Sequence, residues 1–344
     1  MINQINIEEY YSFHLSVPVI DVRTPAEYEK GHIPNALNIP IFSNEERVKV
    51  GTNYKQQGKD AAILMGLEFV GPKLRNFVKS AKKVATNNKL ILYCWRGGMR
   101  SKSMAWLFDF AGIEVLLING GYKAYRNYIL SSFDNQAKII VLGGKTGSGK
   151  SEILRKLQEK NQQFIDLEEI AHHKGSAFGA LGQKPQPSTE FFENLLFEEW
   201  RKINFSKPLW LEDESMNIGQ NAIPLALFKQ IRDSYVINID VDKQTRIERL
   251  VIEYSNFSHE MLSEIINRIS KRLGGLETKL ALEALQVADY KKVADITLTY
   301  YDKAYLYGLS KRDQNKIKTI VINEYNHDDI VEKLIKISED LWKS

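Results

Sequence analysis

Cys94 is the single cysteine in 344 residues. It ends the apolar run Lys89-Leu90-Ile91-Leu92-Tyr93 and opens the loop Cys94-Trp95-Arg96-Gly97-Gly98-Met99-Arg100-Ser101, ahead of a helical segment over 103–110. A strand that turns through glycines into a helix aims successive backbone N–H groups inward. The helix N-terminus adds partial positive charge, and Arg96 and Arg100 add full charges. Such a cradle binds anions and favours the thiolate, the nucleophilic form of cysteine. A lone cysteine is often an inert buried side chain, but the arginines and glycines that follow this one point to reactivity. In the other half of the chain, the β-branched run 139–142 feeds Gly144-Lys145-Thr146-Gly147-Ser148-Gly149-Lys150-Ser151. This is a full match to G-x-x-x-x-G-K-[ST] in strand–loop–helix context. Its glycines let the backbone wrap phosphate oxygens, Lys150 reaches terminal phosphates, and Ser151 suits a magnesium ion. The chain therefore carries a reactive thiol and a phosphate cradle.

The elements that must position these loops read as an α/β protein. Short apolar runs at 17–22, 36–39, 90–93 and 115–118 alternate with helical patterns, the rhythm of a parallel sheet. A long, largely helical stretch fills 44–85. Polar residues interrupt the pattern near 131–138, which sets a first domain over 1–134 and a second over 137–344. The second repeats the rhythm, with strands expected at 139–142, 164–167, 210–214 and 235–240, and a helix at 152–158. Helical periodicity then runs over 258–287, broken at Gly274-Gly275. The strand at 210–214 ends in Glu212-Asp213-Glu214, and Glu212 or Asp213 at that point would orient magnesium through water.

Bulk properties exclude several classes. A chain of 39.6 kDa with 43% hydrophobic and 26% charged residues is an ordinary globular composition, large enough for two cores. No apolar stretch approaches the roughly 20 residues needed to span a bilayer. The first residues lack the basic and apolar segments of a signal peptide. One cysteine permits no intrachain disulfide, so the expected compartment is the cytoplasm, with no membrane partner. Sulfur or selenium bound at Cys94 must then leave to an external acceptor. The net charge is +4, and residues 1–136 hold 17 Lys and Arg against 12 Asp and Glu, which suits an anionic partner such as RNA.

Asp21-Val22-Arg23-Thr24-Pro25-Ala26-Glu27-Tyr28 with Gly31-His32-Ile33-Pro34-Asn35-Ala36, the Cys94 loop, and Gly120-Gly121-Tyr122 mark the first half. On these motifs it resembles rhodanese-type sulfurtransferases. The resemblance implies that Asp21 and Arg23 hold loops by hydrogen bonds and that His32 is structural. Five residues separate Cys94 from Arg100, where many rhodaneses have four. C-x5-R-[ST] is also the pattern of cysteine phosphatases, and the wider loop accepts a tetrahedral oxyanion. Against that reading, Tyr93 stands where many such phosphatases carry histidine, and no phosphatase explains the second loop.

Beyond the two loops, the chain carries Val50-Gly51-Thr52-Asn53-Tyr54-Lys55, Asp166-Leu167-Glu168, His173-Lys174-Gly175-Ser176-Ala177-Phe178-Gly179, Phe192-Glu193-Asn194-Leu195-Leu196 and Leu211-Glu212-Asp213-Glu214-Ser215. With these segments in order, it resembles over nearly its full length the tRNA 2-selenouridine synthase family, a rhodanese-like parallel-sheet domain followed by a P-loop NTPase-like α/β domain with a helical C-terminal part. The resemblance implies a transferase that exchanges the sulfur of 2-thiouridine, at the wobble position of tRNA, for selenium from selenophosphate. It implies an S-geranyl intermediate made from geranyl diphosphate. Cys94 would carry selenium, with Trp95 to Ser101 holding the selenophosphate anion, and Gly144 to Ser151 would grip the diphosphate. No tightly bound cofactor or protein metal centre is called for, with magnesium a candidate ion.

Weaker signals are His172-His173-Lys174, as contacts for RNA phosphates or for the diphosphate, and Arg268, Lys271 and Arg272, a basic helix face read as tRNA backbone contacts or as ordinary surface. Arg246 and Arg249 are read as arginines over a phosphate or as a solvated helix face. The alternative is a rhodanese-like sulfurtransferase or cysteine phosphatase fused to a P-loop kinase-like domain.

Overall fold

Leu90, Ile91, Leu92 and Tyr93 are all completely buried. A strand hidden on both faces needs covers on both, the condition met by parallel sheets with crossover helices. The computed structural model, which describes residues 2–14 and 16–342, places that strand at the centre of such a sheet. β1 (Asn3–Ile5), β2 (Val19–Asp21), β3 (Leu37–Asn38), β4 (Lys89–Tyr93) and β5 (Glu114–Ile118) lie in the order β1-β5-β4-β2-β3. Every pairing is parallel. β2 is shorter than the apolar run at 17–22 because Pro18 has no N–H to give a ladder. The expected helical stretch at 44–85 is three helices, Asn44–Gln57, Lys59–Val70 and Leu74–Val84. Gly58, at φ +91°, divides the first two, and Pro72 lies in the turn before the third. Phe77, Met104, Phe108 and Val115 pack with β4 into the core beneath the cysteine loop.

The second sheet is built on the same plan. β6 (Lys138–Gly144), β7 (Gln163–Phe164), β8 (Pro208–Glu212), β11 (Tyr235–Val241) and β12 (Ile317–Ile322) lie in the order β12-β11-β6-β8-β7, all parallel. A small antiparallel ribbon, β9 (Asn217–Ile218) and β10 (Asn221–Ala222), follows β8. The helix Lys150–Glu159 buries Ile153, Leu154 and Leu157 against β6 and against Ile330, Val331 and Leu334 of the closing helix His327–Asp340. The helices between 243 and 310 enclose a separate core that includes Leu262, Ile266, Ala281, Val293 and Leu298. Gly274 at φ +103° breaks the helical run where the sequence places a break.

The chain divides into two compact units, Met1–Ser132 with Glu193–Leu195, and Phe133–Phe192 with Leu196–Ser344. Among the described residues, no helix is long and apolar enough to cross a membrane.

Candidate functional site

In the first unit, β4 delivers Cys94 at its C-terminal end, where ligands of open parallel sheets bind. The helix starts at Met99, four residues before the expected 103, and Gly98 is its N-cap without a side-chain cap. The first-turn N–H groups are thus not taken by a capping side chain, the condition for anion binding. The amides of Tyr122 and Lys123 donate to the carbonyls of Cys94 and Trp95 at 2.8 and 2.9 Å, which pins the base of the loop. The Ser101 hydroxyl lies 3.1 Å from Cys94 Sγ. Cys94 is only 3% exposed and shares the core beneath the loop. The cause is close backbone approach, since the Gly97 and Gly121 main chains pack against one another. Chemistry at the sulfur requires a reagent that enters the loop. Arg96 and Met99 are exposed on it, and Trp95 is half-buried.

Gly121 controls that approach. A Cβ there would lie 2.2 Å from the Cys94 carbonyl oxygen and 2.6 Å from the Gly97 nitrogen, at φ +60°. Left-handed strain alone costs about 1–3 kcal/mol, and the clash adds to it. Gly121→Ala is therefore expected to lower the thermal midpoint and to open the cysteine loop. Unchanged unfolding together with unchanged thiol reactivity would refute this packing.

The two arginines of the loop differ. Arg100 is bonded to Glu27 at 2.6 and 3.2 Å. Burial pushes the Glu27 carboxyl up, but Arg100 outweighs it and holds Glu27 below its usual range. Arg100 thus ties the active helix to the helix Pro25–Lys30, and Arg96 is the exposed guanidinium of the loop. Asp21 and Arg23 form a buried pair at 2.6 Å, and Arg23 also donates to the Gly31 carbonyl and covers the Tyr122 ring at 3.9 Å. They hold loops together, as the resemblance implies. His32 stacks on Tyr28 at 3.7 Å with Nδ1 against the Tyr28 carbonyl, a structural position.

In the second unit, Gly147 and Gly149 adopt φ +82° and +77°, and the helix begins at Lys150. Lys150 Nζ rests 3.1 Å from the Gly144 carbonyl, and the Ser148 hydroxyl donates to the Lys145 carbonyl at 2.7 Å. Lys145 pairs with Asp240 at 3.0 Å. Tyr325 donates to the Ser148 carbonyl at 2.9 Å and lies beneath Arg249, which also pairs with Glu152. Arg246 is 2% exposed, bonded to Asp302 and to the Thr146 carbonyl. It braces the loop backbone, so neither the phosphate reading nor the solvated-face reading applies to it.

The acidic strand end separates by side-chain parity. Glu212 Oε1 accepts from the Ser151 hydroxyl at 2.8 Å, with Glu168 Oε2 at 3.3 Å from the same hydroxyl. Asp213 instead accepts from Arg312, with both side chains almost fully buried, so it does not share the magnesium role assigned from sequence. Glu214 joins Glu168 and Glu212, one oxygen of each lying within 4.8 Å of the others. Burial, and then repulsion from Glu214, raise Glu168 to about 7 against the pull of Lys150. Burial and Glu212 raise Glu214 to about 8, and burial with Glu168 pushes Glu212 well above the carboxylate range. Sequence reasoning quoted Glu168 and Glu214 without a role. Only the parallel pairing of β7 with β8, which brings the C-terminal ends of both strands to one edge of the sheet, reveals their convergence. His172 Nδ1 lies 2.9 Å from the Pro185 carbonyl, and His173 is lowered by burial. Arg268, Lys271 and Arg272 are exposed.

Two family descriptions match the chain: a rhodanese-like domain over residues 11–128 and a tRNA 2-selenouridine synthase AAA domain over residues 137–334. A tRNA 2-selenouridine synthase of Shewanella denitrificans is 34% identical across 89% of this chain and 92% of its own length. One from Bordetella petrii is 34% identical across 88% and 89%. A solved rhodanese-related protein of Thermoplasma volcanium is 20% identical over 37% of this chain and 92% of its own, with a TM-score of 0.24. With a phosphate loop and a strand-end cysteine in their expected elements, and relatives of this similarity over most of its length, the chain belongs to the tRNA 2-selenouridine synthase family.

Proposed function

We propose that this enzyme converts 2-thiouridine at the tRNA wobble position to 2-selenouridine in two steps, alkylation at the phosphate loop and selenium transfer at Cys94. The observation that carries the reading is the presence, in one chain of this family, of a strand-end cysteine with its anion loop and a complete phosphate loop. A thiocarbonyl sulfur is a poor leaving group, whereas its alkylated form departs as a thiol from an electrophilic carbon. Geranyl diphosphate supplies the alkyl group. The amides of Gly147 and Gly149 and the ammonium of Lys150 neutralise its diphosphate, which leaves as the allylic carbon bonds to sulfur.

In the second step the Cys94 sulfur attacks selenium of selenophosphate. The S–Se bond forms as the Se–P bond breaks, and phosphorus keeps the bonding pair, takes up a proton and leaves as phosphite, the thiolate being oxidised as phosphorus is reduced. Arg96 and the first-turn amides of the loop hold the phosphate group during transfer, while Arg100 keeps the helix in place through Glu27. The terminal selenium then adds to C2 of the base and geranyl thiol departs. An external thiol attacks the Cys94 sulfur and expels selenium onto the base as the selenocarbonyl, and a second external thiol releases Cys94 from the resulting mixed disulfide, since the chain holds no second cysteine. Substrate tRNA meets an exposed basic face such as Arg268, Lys271 and Arg272 through phosphate contacts.

The test is to incubate the full chain with a 2-thiouridine anticodon stem-loop and weigh the RNA. Geranyl diphosphate alone should add one geranyl group, and selenophosphate added afterwards should replace it by selenium. Selenium incorporation without any geranyl requirement would contradict the order. In a parallel binding titration, ATP that binds tightly and is not displaced by geranyl diphosphate would favour a nucleotide-using loop instead.

A further inference from the structure

Three residues of the helix Thr189–Trp200, Glu193 to Leu195, are built into the first unit. Asn194, the middle one, is completely buried. A buried amide is tolerated when its polar atoms are bonded. Here Nδ2 donates to the His32 carbonyl and to the Tyr122 hydroxyl, both at 2.7 Å, and Oδ1 accepts from Arg126 at 2.6 Å. A carbonyl only accepts and a guanidinium only donates, so these partners fix which end of the amide is which. Arg126 also pairs with Glu193, the neighbour of Asn194 on the same helix.

Tyr122 carries this grip to the cysteine. Its amide donates to the Cys94 carbonyl at 2.8 Å, and its buried ring lies under the Arg23 guanidinium at 3.9 Å and beside the Trp95 ring at 5.7 Å. Arg23 holds the tyrosine by the ring face and Asn194 holds it by the hydroxyl. Each also fastens one carbonyl of the same turn, Gly31 for Arg23 and His32 for Asn194. Contact with a ring face alone lets the ring slide in its own plane, and a directional bond at the far end removes that freedom. The adjoining Gly121 main chain packs on the Cys94 carbonyl and the Gly97 nitrogen, so a shift of Tyr122 moves the floor of the cysteine loop.

We propose that Asn194 is a positioning residue for Cys94. It fixes Tyr122, and through Tyr122 the backbone that makes the N–H groups of the cysteine loop converge. Asn194 lies 72 residues beyond Tyr122, so the Phe192–Leu196 segment acquires a part in thiol chemistry that its place in the sequence hides. Pre-organised donors lose most of their effect when their support is loosened, even with every donor still present. The consequence for selenium transfer rests on the reading of the cysteine loop as the selenophosphate cradle. The consequence for the shape of the loop does not.

The test uses Asn194→Leu, of similar size and without polar side-chain atoms, in the full chain. Labelling of Cys94 by iodoacetamide, which needs no substrate, should be several-fold faster than in wild type because the loop opens. In selenation of a chemically made S-geranyl stem-loop, the KM for selenophosphate should rise by about tenfold or more. Geranylation of a 2-thiouridine stem-loop should keep its wild-type rate. Ile129→Val, buried about two turns further along the helix that carries Tyr122, loosens packing alone and should leave labelling and KM unchanged. Tyr122→Phe, which keeps the ring beneath Arg23, should reproduce the faster labelling, and combining it with Asn194→Leu should add little. If Asn194→Leu does not fold, Tyr122→Phe decides alone, and labelling at the wild-type rate rejects the route through its hydroxyl. Asn194→Leu labelled no faster than Ile129→Val, or additive effects of the two changes, would overturn the proposal. Faster labelling of Asn194→Leu, in a protein whose wild type transfers no selenium, would retain the positioning role and reject the selenophosphate reading of the loop.

Discussion

Cys94→Ala should reduce selenium incorporation by about 10³-fold or more while geranylation of the same stem-loop continues near the wild-type rate. The expectation follows from the division of labour between the two loops. Removing the sulfur removes the only nucleophile of the first loop, because Ser101 is a neutral hydroxyl that serves Cys94 Sγ at 3.1 Å. Cys94→Ser keeps the volume of the buried position and should behave like Ala, which separates chemistry from packing at a residue that is 3% exposed. The RNA from either variant should accumulate as the S-geranyl form when both substrates are supplied. Loss of both steps together would contradict the separation.

Lys150→Ala should have the complementary effect. Withdrawing one charged donor from a leaving diphosphate costs about 10²–10³-fold in rate. Geranylation should fall by that amount, and selenation of 2-thiouridine should fall with it, because the alkylated base is its substrate. Supplying an S-geranyl stem-loop made chemically should restore selenation to Lys150→Ala and leave Cys94→Ala inactive. Lys150 also offsets the charge of Glu168, Glu212 and Glu214. A circular dichroism spectrum and melting curve should therefore accompany the rates. If the S-geranyl substrate fails to rescue Lys150→Ala in a folded protein, the two-step scheme is wrong.

Much of this arrangement was legible in the residues. The apolar runs at 90–93 and 139–142 are buried central strands because each is followed by a glycine loop and a helix, and local chemistry is enough to define such a unit. β1 and β12 escaped notice for opposite reasons. Asn3–Ile5 is too short to show a period, and Ile317–Ile322 is an edge strand whose lysine and threonine break the apolar run. The strand expected at 164–167 stops at Phe164 because Asp166 caps the helix Leu167–Ala171 through the Glu169 amide.

The sites divide in the same way. Loop residues contiguous in sequence were identifiable as motifs. Partners distant in sequence were not: Glu27 for Arg100, 73 residues away, and Asp302 for Arg246, 56 residues away. These pairings make braces of Arg100, expected to add charge to the anion loop, and of Arg246, read from sequence as either a phosphate contact or a solvated face. Asp213 was misassigned because its neighbours share its chemistry, and only the alternation beyond β8 decides which carboxylates face Ser151. Glu168 and Glu214 gain their meaning from convergence, which no local pattern records.

The central claim is that Cys94 takes up selenium itself. Incubating the full chain with selenophosphate alone, without RNA or added thiol, and weighing the intact protein and its peptides tests it directly. The account predicts a gain of one selenium atom on the peptide that contains Cys94, lost on adding thiol and absent from Cys94→Ala. A protein that gains no mass while still producing 2-selenouridine RNA, or a gain that survives the Cys94→Ala change, would contradict it.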